Sequence, residues 1–172
     1  MQLHPDCVCA AARAITVEVT RPQAGIFSFA YTVTGGIGDL RLPPITAKAR
    51  ADGLWRHTCF EAFLRPLPGE AYYEFNFAPS TQWAAYYFSG YRSGMRSAAE
   101  IAAPRVDVQA APDCLTLQAT LDLSRLPDQA GWRLGLAAVI EEASSRKSYW
   151  ALAHPAGNPD FHHAAGFTHE LF

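Results

Sequence analysis

The chain has 172 residues, of which 49% are hydrophobic and 17% charged, and its formal net charge is −2. This length and apolar content suffice for one domain with a sizeable core. Lysine and arginine form no basic stripe, and no apolar run approaches the roughly 20 residues that span a bilayer, so neither nucleic acid nor a membrane is an expected partner.

The amino-terminal segment and the cysteines bear on the compartment in which the protein acts. The segment MQLHPDCVCAAARAITVEV has neither the basic start nor the continuous apolar stretch of a secretory signal, which predicts a cytoplasmic protein. The cysteines are therefore interpreted as free thiols rather than as two disulfides. They are Cys7, Cys9, Cys59 and Cys114.

Apolar and polar residues alternate with a period of two along most of the chain, which predicts β-strands rather than βαβ units. The predicted strands cover residues 14–20, 26–33, 55–64, 71–77, 82–88, 104–110, 114–121, 132–141, 147–152 and 168–172. At most a turn or two of helix is expected, near 96–103 and after 124. We therefore expect an all-β sandwich of about ten mostly antiparallel strands, forming a single domain over residues 1–172.

Two neighbouring predicted strands carry a glutamate where a strand buried on both faces would be apolar. In LWRHTCFEAFL, alternation puts Glu61 on the same face as Trp55 and His57. In YYEFNF, Glu74 shares a face with Asn76. The connection RPLPGE is short enough for a hairpin, and symmetric closure would place Glu61 opposite Glu74. A slip of two residues would separate the glutamates but leave them on one face.

This shared face has two interpretations. It could be a solvated outer face, or one whose carboxylates pair with Arg13, Arg56 or Arg133. It could instead be a concave ligand-binding face, because small-molecule sites combine aromatic walls with a few convergent polar groups.

Two later segments supply further candidate side chains. In the aromatic tract after the second glutamate strand, Trp83 and Tyr91 lie next to turns, and Arg92 could bind a carboxylate or an anionic ligand. The segment HPAGNPDFHHAAGFTHE crowds histidines and a carboxylate that could hold a divalent metal or could cap turns. These residues are His154, Asp160, His162, His163 and His169.

Three runs of sequence resemble the DOMON-like superfamily, in the branch similar to family 9 carbohydrate-binding modules. They are GLWRHTCFEAFLRP, YYEFNFAPSTQWAAYYFSGYR and KSYWALAHPAGNPDFHHAAGFTHELF. The matching landmarks keep the family's order over roughly positions 50–172. They are Trp55, Glu61 and Pro66, then Asn76 and Pro79, then Phe161, His162 and Phe167.

The resemblance implies a β-sandwich whose concave face or loop edge binds a sugar or haem. In the carbohydrate-binding members two tryptophans enclose a sugar ring, so Trp55 would be one aromatic partner and Trp150 or Trp83 the other. The haem-binding members use a methionine and a histidine as iron ligands, and the internal methionine of this chain is Met95. The 154–163 loop would border the ligand-binding face.

The favoured function is non-catalytic binding of a small ligand, with a sugar or sugar derivative as the expected class. Trp55 would stack on the ring, and polar side chains would bind its hydroxyls. The candidate ligand-binding residues are Trp55, His57, Glu61, Glu74, Asn76, Trp83, Arg92, Trp150, His154 and His162. No catalytic residue, cofactor or metal ligand is assigned.

Three alternatives stay open at the level of sequence. The two glutamates could serve a hydrolase, either as the carboxylate pair of a retaining glycosidase or together with a metal. The same face could hold haem. Exposed aromatic residues could instead contact a protein partner.

Overall fold

The alternating segments fold into two antiparallel sheets in a computed structural model of the chain, which describes residues 1–127 and 131–171. In spatial order, the strands of the larger sheet are β1 (Gln2–Leu3), β11 (Lys147–Ala151), β10 (Trp132–Glu141), β4 (Cys59–Pro66), β5 (Tyr72–Phe77), β6 (Trp83–Phe88) and β7 (Arg96–Ser97), with β12 (His169–Leu171) beside β10. Those of the smaller sheet are β2 (Ala12–Gln23), β3 (Ile26–Gly35), β9 (Cys114–Asp122) and β8 (Arg105–Ala110).

All the predicted strands are present, which confirms the all-β sandwich, although several ends differ. The largest difference is at 55–64, where Leu54–Arg56 is a 3-10 helix and β4 begins only at Cys59. The short strands β1 and β7 were not predicted, and β7 replaces the start of the helical turn expected near 96–103. The turn expected after 124 continues into 128–130, and the last predicted strand includes 172, positions that lie outside the described residues.

Apolar side chains from both sheets meet in a buried core. Phe29 and Tyr31 of β3 pack against Phe77 and Phe60 of the larger sheet, with ring centroids 6.4 Å and 5.1 Å apart respectively. The Tyr31 hydroxyl donates a hydrogen bond of 3.0 Å to the backbone carbonyl of Glu61. This bond satisfies a buried hydroxyl and ties the smaller sheet to the centre of the larger one.

The outer face of the larger sheet is also covered, although antiparallel sheets commonly leave one face in water. A second buried apolar cluster lies on this face, and Leu54 and Phe161 from two connecting segments pack against it. Its members are Phe63, Tyr72, Ala84, Tyr86, Phe88, Ala137, Ala151 and Phe167. Because the covering segments close over only part of the face, a cavity forms between them and the strands.

Helices contribute little to the described part of the chain. They are short 3-10 segments, and none of them has the length or apolar character needed to cross a bilayer. The four cysteines are free thiols, as predicted from the sequence.

Candidate ligand-binding site

Glu61 and Glu74 share the outer face of the larger sheet, but they are not opposite each other. In the β4–β5 pair, Glu61 faces Asn76 and Glu74 faces Phe63, a slip of two residues from the symmetric hairpin. The end of β4 pairs with β10 rather than with β5, so the connection between β4 and β5 is wider than the sequence suggested. The predicted register was therefore wrong, whereas the shared face was correct because a two-residue slip preserves the alternation.

A cavity of about 390 Å³ lies over these glutamates. This volume is within the range of small-molecule sites. Its lining combines strand residues from the sheet with residues from the connecting segments that cover the outer face. The lining residues are Trp55, Glu61, Glu74, Phe88, Arg92, Met95, Val139, Tyr149, Pro159, Phe161 and His162.

Trp55 reaches the rim of the cavity from the 3-10 helix rather than from a strand. Gly53 precedes this helix with a φ of 74°, a left-handed conformation that glycine adopts without steric cost. The Tyr86 hydroxyl donates a 2.7 Å hydrogen bond to Asp52, which fixes the segment to β6. The Trp55 ring packs edge-on against Tyr86, with centroids 5.9 Å apart, and keeps 37% of its surface exposed. An indole ring is thus held at the cavity while open to a ligand.

The two carboxyl groups on the floor have different surroundings. Glu61 is 3% exposed, and its Oε1 has no hydrogen-bond partner among the described residues. Burial, followed by the proximity of Glu74, raises the pKa of Glu61 well above the ordinary 4.5. Burial raises the pKa of Glu74 to about 7, while an Asn76 hydrogen bond and the Arg92 charge act in the opposite direction. The floor therefore combines a carboxyl that retains its proton strongly with one that titrates near neutrality.

Asn76 positions Glu74 from below. Its side chain is fully buried, and its Nδ2 donates a 2.6 Å hydrogen bond to Oε1 of Glu74. The Cys59 thiol donates to Oδ1 of Asn76 at 3.4 Å, which fixes the orientation of the amide. Asn76 does not line the cavity, so its place is that of a support for the carboxylate.

The Tyr72 hydroxyl and Glu74 flank the ring of His162. The hydroxyl accepts a hydrogen bond from the backbone N–H of Arg92 at 3.3 Å and lies 2.7 Å from Nδ1 of His162. Burial, with a further contribution from Arg92, lowers the pKa of His162 to about 4, so the ring is neutral at neutral pH. Nε2 lies 3.7 Å from Oε2 of Glu74, and an acceptor at this position favours the tautomer that carries its proton on Nε2 and accepts the Tyr72 hydroxyl at Nδ1. The imidazole thus presents a donor to the cavity.

Arg92 and Asp160 join two segments at the rim. Nε and Nη2 of Arg92 donate to Oδ1 of Asp160 at 3.2 Å and 2.8 Å. Asp160 also accepts hydrogen bonds from the Tyr91 hydroxyl and from the backbone N–H of His162. The carboxyl-terminal segment is therefore anchored to the turn at 91–92, which holds His162 over the sheet.

The prediction that Trp83 or Trp150 binds the ligand is wrong. Both side chains belong to the core between the sheets. Each is 5% exposed. On their strands they alternate with the outward positions, so neighbouring Tyr149, and not Trp150, faces the cavity. The Arg50 guanidinium stacks over Trp83 at 4.2 Å from the ring centroid, and the indole N–H of Trp150 donates to Ser148.

His57 and His154 also lie outside the cavity lining. His57 follows the 3-10 helix instead of lying within β4, and its Nδ1 is 2.7 Å from Oε2 of Glu141. His154 Nε2 lies 2.9 Å from the carbonyl oxygen of Gln2, beside β1. The predicted site residues that do line the cavity are Trp55, Glu61, Glu74, Arg92 and His162.

Several cavity residues escaped the sequence analysis. Tyr149 and Val139 are paired across β10 and β11 and therefore point to the same face of the sheet. Alternation separates Tyr149 from Trp150, but it does not say which of the two faces the core. Phe161 was noted as a landmark of the resemblance, yet its contact with Tyr149, at 6.1 Å between centroids, depends on the path of the covering loop.

The histidines of the carboxyl-terminal segment are dispersed. His163 accepts a hydrogen bond from the backbone N–H of Ala165 and caps the 3-10 helix Ala164–Gly166, while His169 lies on β12. Across residues 1–127 and 131–171, no group of three or more His, Cys, Asp or Glu side chains is arranged to hold a metal ion. This arrangement does not support a metal centre in the segment.

Met95 and His162 line the same cavity and are of the residue types that ligate haem iron. Nδ1 of His162 is bonded to Tyr72, however, and Nε2 faces Glu74. Both ring nitrogens therefore have polar neighbours within the protein. The residues present do not fit axial coordination of haem.

Comparison with known proteins supports the fold. No protein-family model matches the chain, and no curated protein matches its sequence. Among solved structures, a Bacteroides uniformis protein provisionally described as carbohydrate-binding has a TM-score of 0.59 and 13% identity, over 89% of this chain and 75% of that chain. This likeness agrees with the β-sandwich that the resemblance implied.

A second solved structure is a family 9 carbohydrate-binding module from Caldicellulosiruptor kristjanssonii in complex with glucose. Its TM-score is 0.42 with 14% identity, over 77% of this chain and 63% of that chain.

Proposed function

We propose that this chain binds a small carbohydrate or carbohydrate derivative in the cavity on the outer face of the larger sheet, without chemically converting it. One observation carries the proposal. The cavity brings the exposed ring of Trp55 together with two buried carboxyl groups and a neutral imidazole N–H. Sugars present apolar ring faces and closely spaced hydroxyl groups, and this set matches both.

The polar groups can act in complementary ways on hydroxyls. Protonated Glu61 can donate a hydrogen bond, ionised Glu74 can accept one, and Nε2 of His162 can donate. Since these groups are already held by the sheet and by the Tyr72 contact, a ligand would bind with little loss of side-chain entropy. The description of the Bacteroides uniformis protein as carbohydrate-binding is in keeping with this role.

A screen of the purified protein against monosaccharides and disaccharides by differential scanning fluorimetry tests the proposal. A ligand at 100 times its Kd stabilises the native state by about 2.7 kcal/mol, which raises the melting temperature by several degrees. We expect at least one sugar to produce such a shift and Trp55→Ala to abolish it. Absence of any shift at ligand concentrations of tens of millimolar would contradict the proposal.

Hydrolysis is a second candidate, favoured by the different surroundings of the two carboxyl groups. A glycosidase requires one carboxyl that keeps its proton and one that is ionised, and Glu61 and Glu74 differ in this sense. Incubation with a panel of p-nitrophenyl glycosides distinguishes the candidates. Release of p-nitrophenol that is lost in Glu61→Gln and Glu74→Gln would replace the binding proposal with a catalytic one.

A further inference from the structure

One oxygen of the Glu61 carboxyl, Oε1, has no hydrogen-bond partner among the described residues. Glu61 is 3% exposed and lines the cavity. Buried polar atoms in native proteins almost always have a partner, because an unsatisfied one costs about 1–3 kcal/mol. The position of this carboxyl at the cavity floor makes a bound ligand the natural source of the missing partner.

The charges around the floor specify what kind of ligand group would serve. Glu74 shares the floor, and its neighbours are the neutral amide of Asn76 and the neutral imidazole of His162. The positively charged side chain in the lining is Arg92, and two of its nitrogens are already bonded to Asp160 at the rim. A ligand that reaches the floor therefore meets two carboxyl groups, while the nearby guanidinium of Arg92 is already paired with Asp160.

The walls of the cavity favour a cation as well. Trp55, Phe88, Tyr149 and Phe161 line it, and aromatic rings attract ammonium groups through their negative faces. An anionic ligand would instead be repelled by Glu74 in its ionised form. A neutral ligand could satisfy the hydrogen bonds but would leave the ionised Glu74 without a counter-charge.

We propose that the ligand carries an ammonium group that binds between Glu61 and Glu74, so that an amino sugar is preferred over the corresponding neutral or N-acetylated sugar. This inference rests on the proposed function, since it specifies the class of carbohydrate. When the ammonium group binds, the proton held by Glu61 leaves to the solvent, and the carboxylate formed pairs with the ligand's charge. The raised pKa of Glu61 is in keeping with such a site, because a desolvated carboxyl without a cationic partner keeps its proton.

Isothermal titration calorimetry with glucosamine, glucose and N-acetylglucosamine, and with the same three forms of galactose, tests the inference. At neutral pH we expect at least one amine to bind about tenfold or more tightly than its neutral and N-acetylated counterparts. Titrations in buffers of different ionisation enthalpy should show proton release with the amine and not with the neutral sugar. Raised salt concentration should weaken amine binding more than neutral-sugar binding.

Glu61→Gln supplies the decisive variant, because it keeps the shape of the side chain but cannot acquire a negative charge. We expect the ratio of amine to neutral-sugar affinity to fall about tenfold and proton release to decrease, because only Glu74 can then still lose a proton. Glu18→Gln, on the solvent-exposed side of β2, is the matched control and should leave the ratio unchanged. Near-ultraviolet circular dichroism of each variant establishes that it is folded.

The outcomes separate this inference from the proposed function. Neutral sugars that bind as tightly as the amines would overturn the ammonium inference and leave sugar binding intact. Amine binding whose preference survives in Glu61→Gln would overturn the assigned position of the charge. If no sugar of either series bound, both the inference and the function on which it rests would be overturned.

Discussion

The Tyr72 hydroxyl on β5 lies 2.7 Å from Nδ1 of His162, a residue 90 positions later in the chain. This contact connects the floor of the cavity to the segment that covers it. Together with Glu74 on the other side of the ring, it favours the His162 tautomer that offers an N–H to a ligand. A single hydroxyl therefore links the stability of the covering segment to the chemistry of the site.

Tyr72→Phe should loosen the covering segment. The substitution leaves Nδ1 of His162 and the N–H of Arg92 without their shared partner, which we expect to cost about 1–3 kcal/mol of unfolding free energy. Urea denaturation measures the loss, and hydrogen exchange should show faster opening at 159–163. Tyr73→Phe is the control, because Tyr73 lies on the opposite face of the same strand. Its hydroxyl donates a long hydrogen bond, of 3.4 Å, to Glu100. Equal effects of the two changes would contradict the assignment.

Trp55→Ala and Trp83→Ala should have opposite consequences. Trp55 is 37% exposed, so we expect its loss to destabilise the fold by no more than about 1 kcal/mol while abolishing sugar binding. Trp83 is buried in the core beneath Arg50, and its loss should cost about 3–5 kcal/mol. Thermal denaturation with and without ligand measures both quantities. A folded Trp55→Ala protein that binds as tightly as wild type would exclude Trp55 from the site.

The buried acids should make the native state less stable as pH rises from about 4.5 through about 7. Glu74 titrates at about 7 in the native state but near 4.5 when unfolded, so the unfolded state binds fewer protons across that interval. Stability therefore falls as pH rises through it, and Glu61, whose native pKa is also raised, extends the fall. Each group contributes at most about 1.4 kcal/mol per pH unit.

His162 acts in the opposite sense at lower pH. Its native pKa is about 4, against an ordinary 6.5, so stability is lost as pH falls from 6.5 towards 4. Urea denaturation from about pH 6.5 to pH 8 covers a range above that in which His162 acts. We expect the fall across this range to be smaller in Glu61→Gln than in wild type, and identical slopes would show that Glu61 does not titrate there.

Arg92→Gln should raise the pKa of Glu74 further. The guanidinium favours the ionised carboxylate, and its removal should shift the titration upward. Carbon-13 NMR of the glutamate carboxyl carbons follows this shift directly. Arg96→Gln is the control, because Arg96 pairs with Glu100 at the exposed edge of the sheet. A Glu74 titration that stays in place in Arg92→Gln would show that Asp160 cancels the charge of Arg92.

Much of the fold could be predicted because each strand can be recognised from the pattern of its own residues. Period-two alternation is a property of each segment, so the predicted strands were found, and Glu61, Glu74 and Asn76 were correctly given a common face. The error at Trp55 has a local cause too, since Gly53 allows a left-handed turn that starts a 3-10 helix where alternation suggested a strand. The register of the β4–β5 pair was missed because pairing with β10 decides where β4 ends.

The sequence by itself determined that a pair of acids would share one face of a sheet, because side-chain direction alternates along any extended chain. The tertiary structure decided that this face would be a covered cavity with Tyr149 rather than Trp150 in its wall. It also decided that His162 would stand over Glu74, and that Glu61 would be buried without a partner in the described residues. These properties depend on which face meets the other sheet and on the path of a loop, and both are set by contacts between residues far apart in the chain.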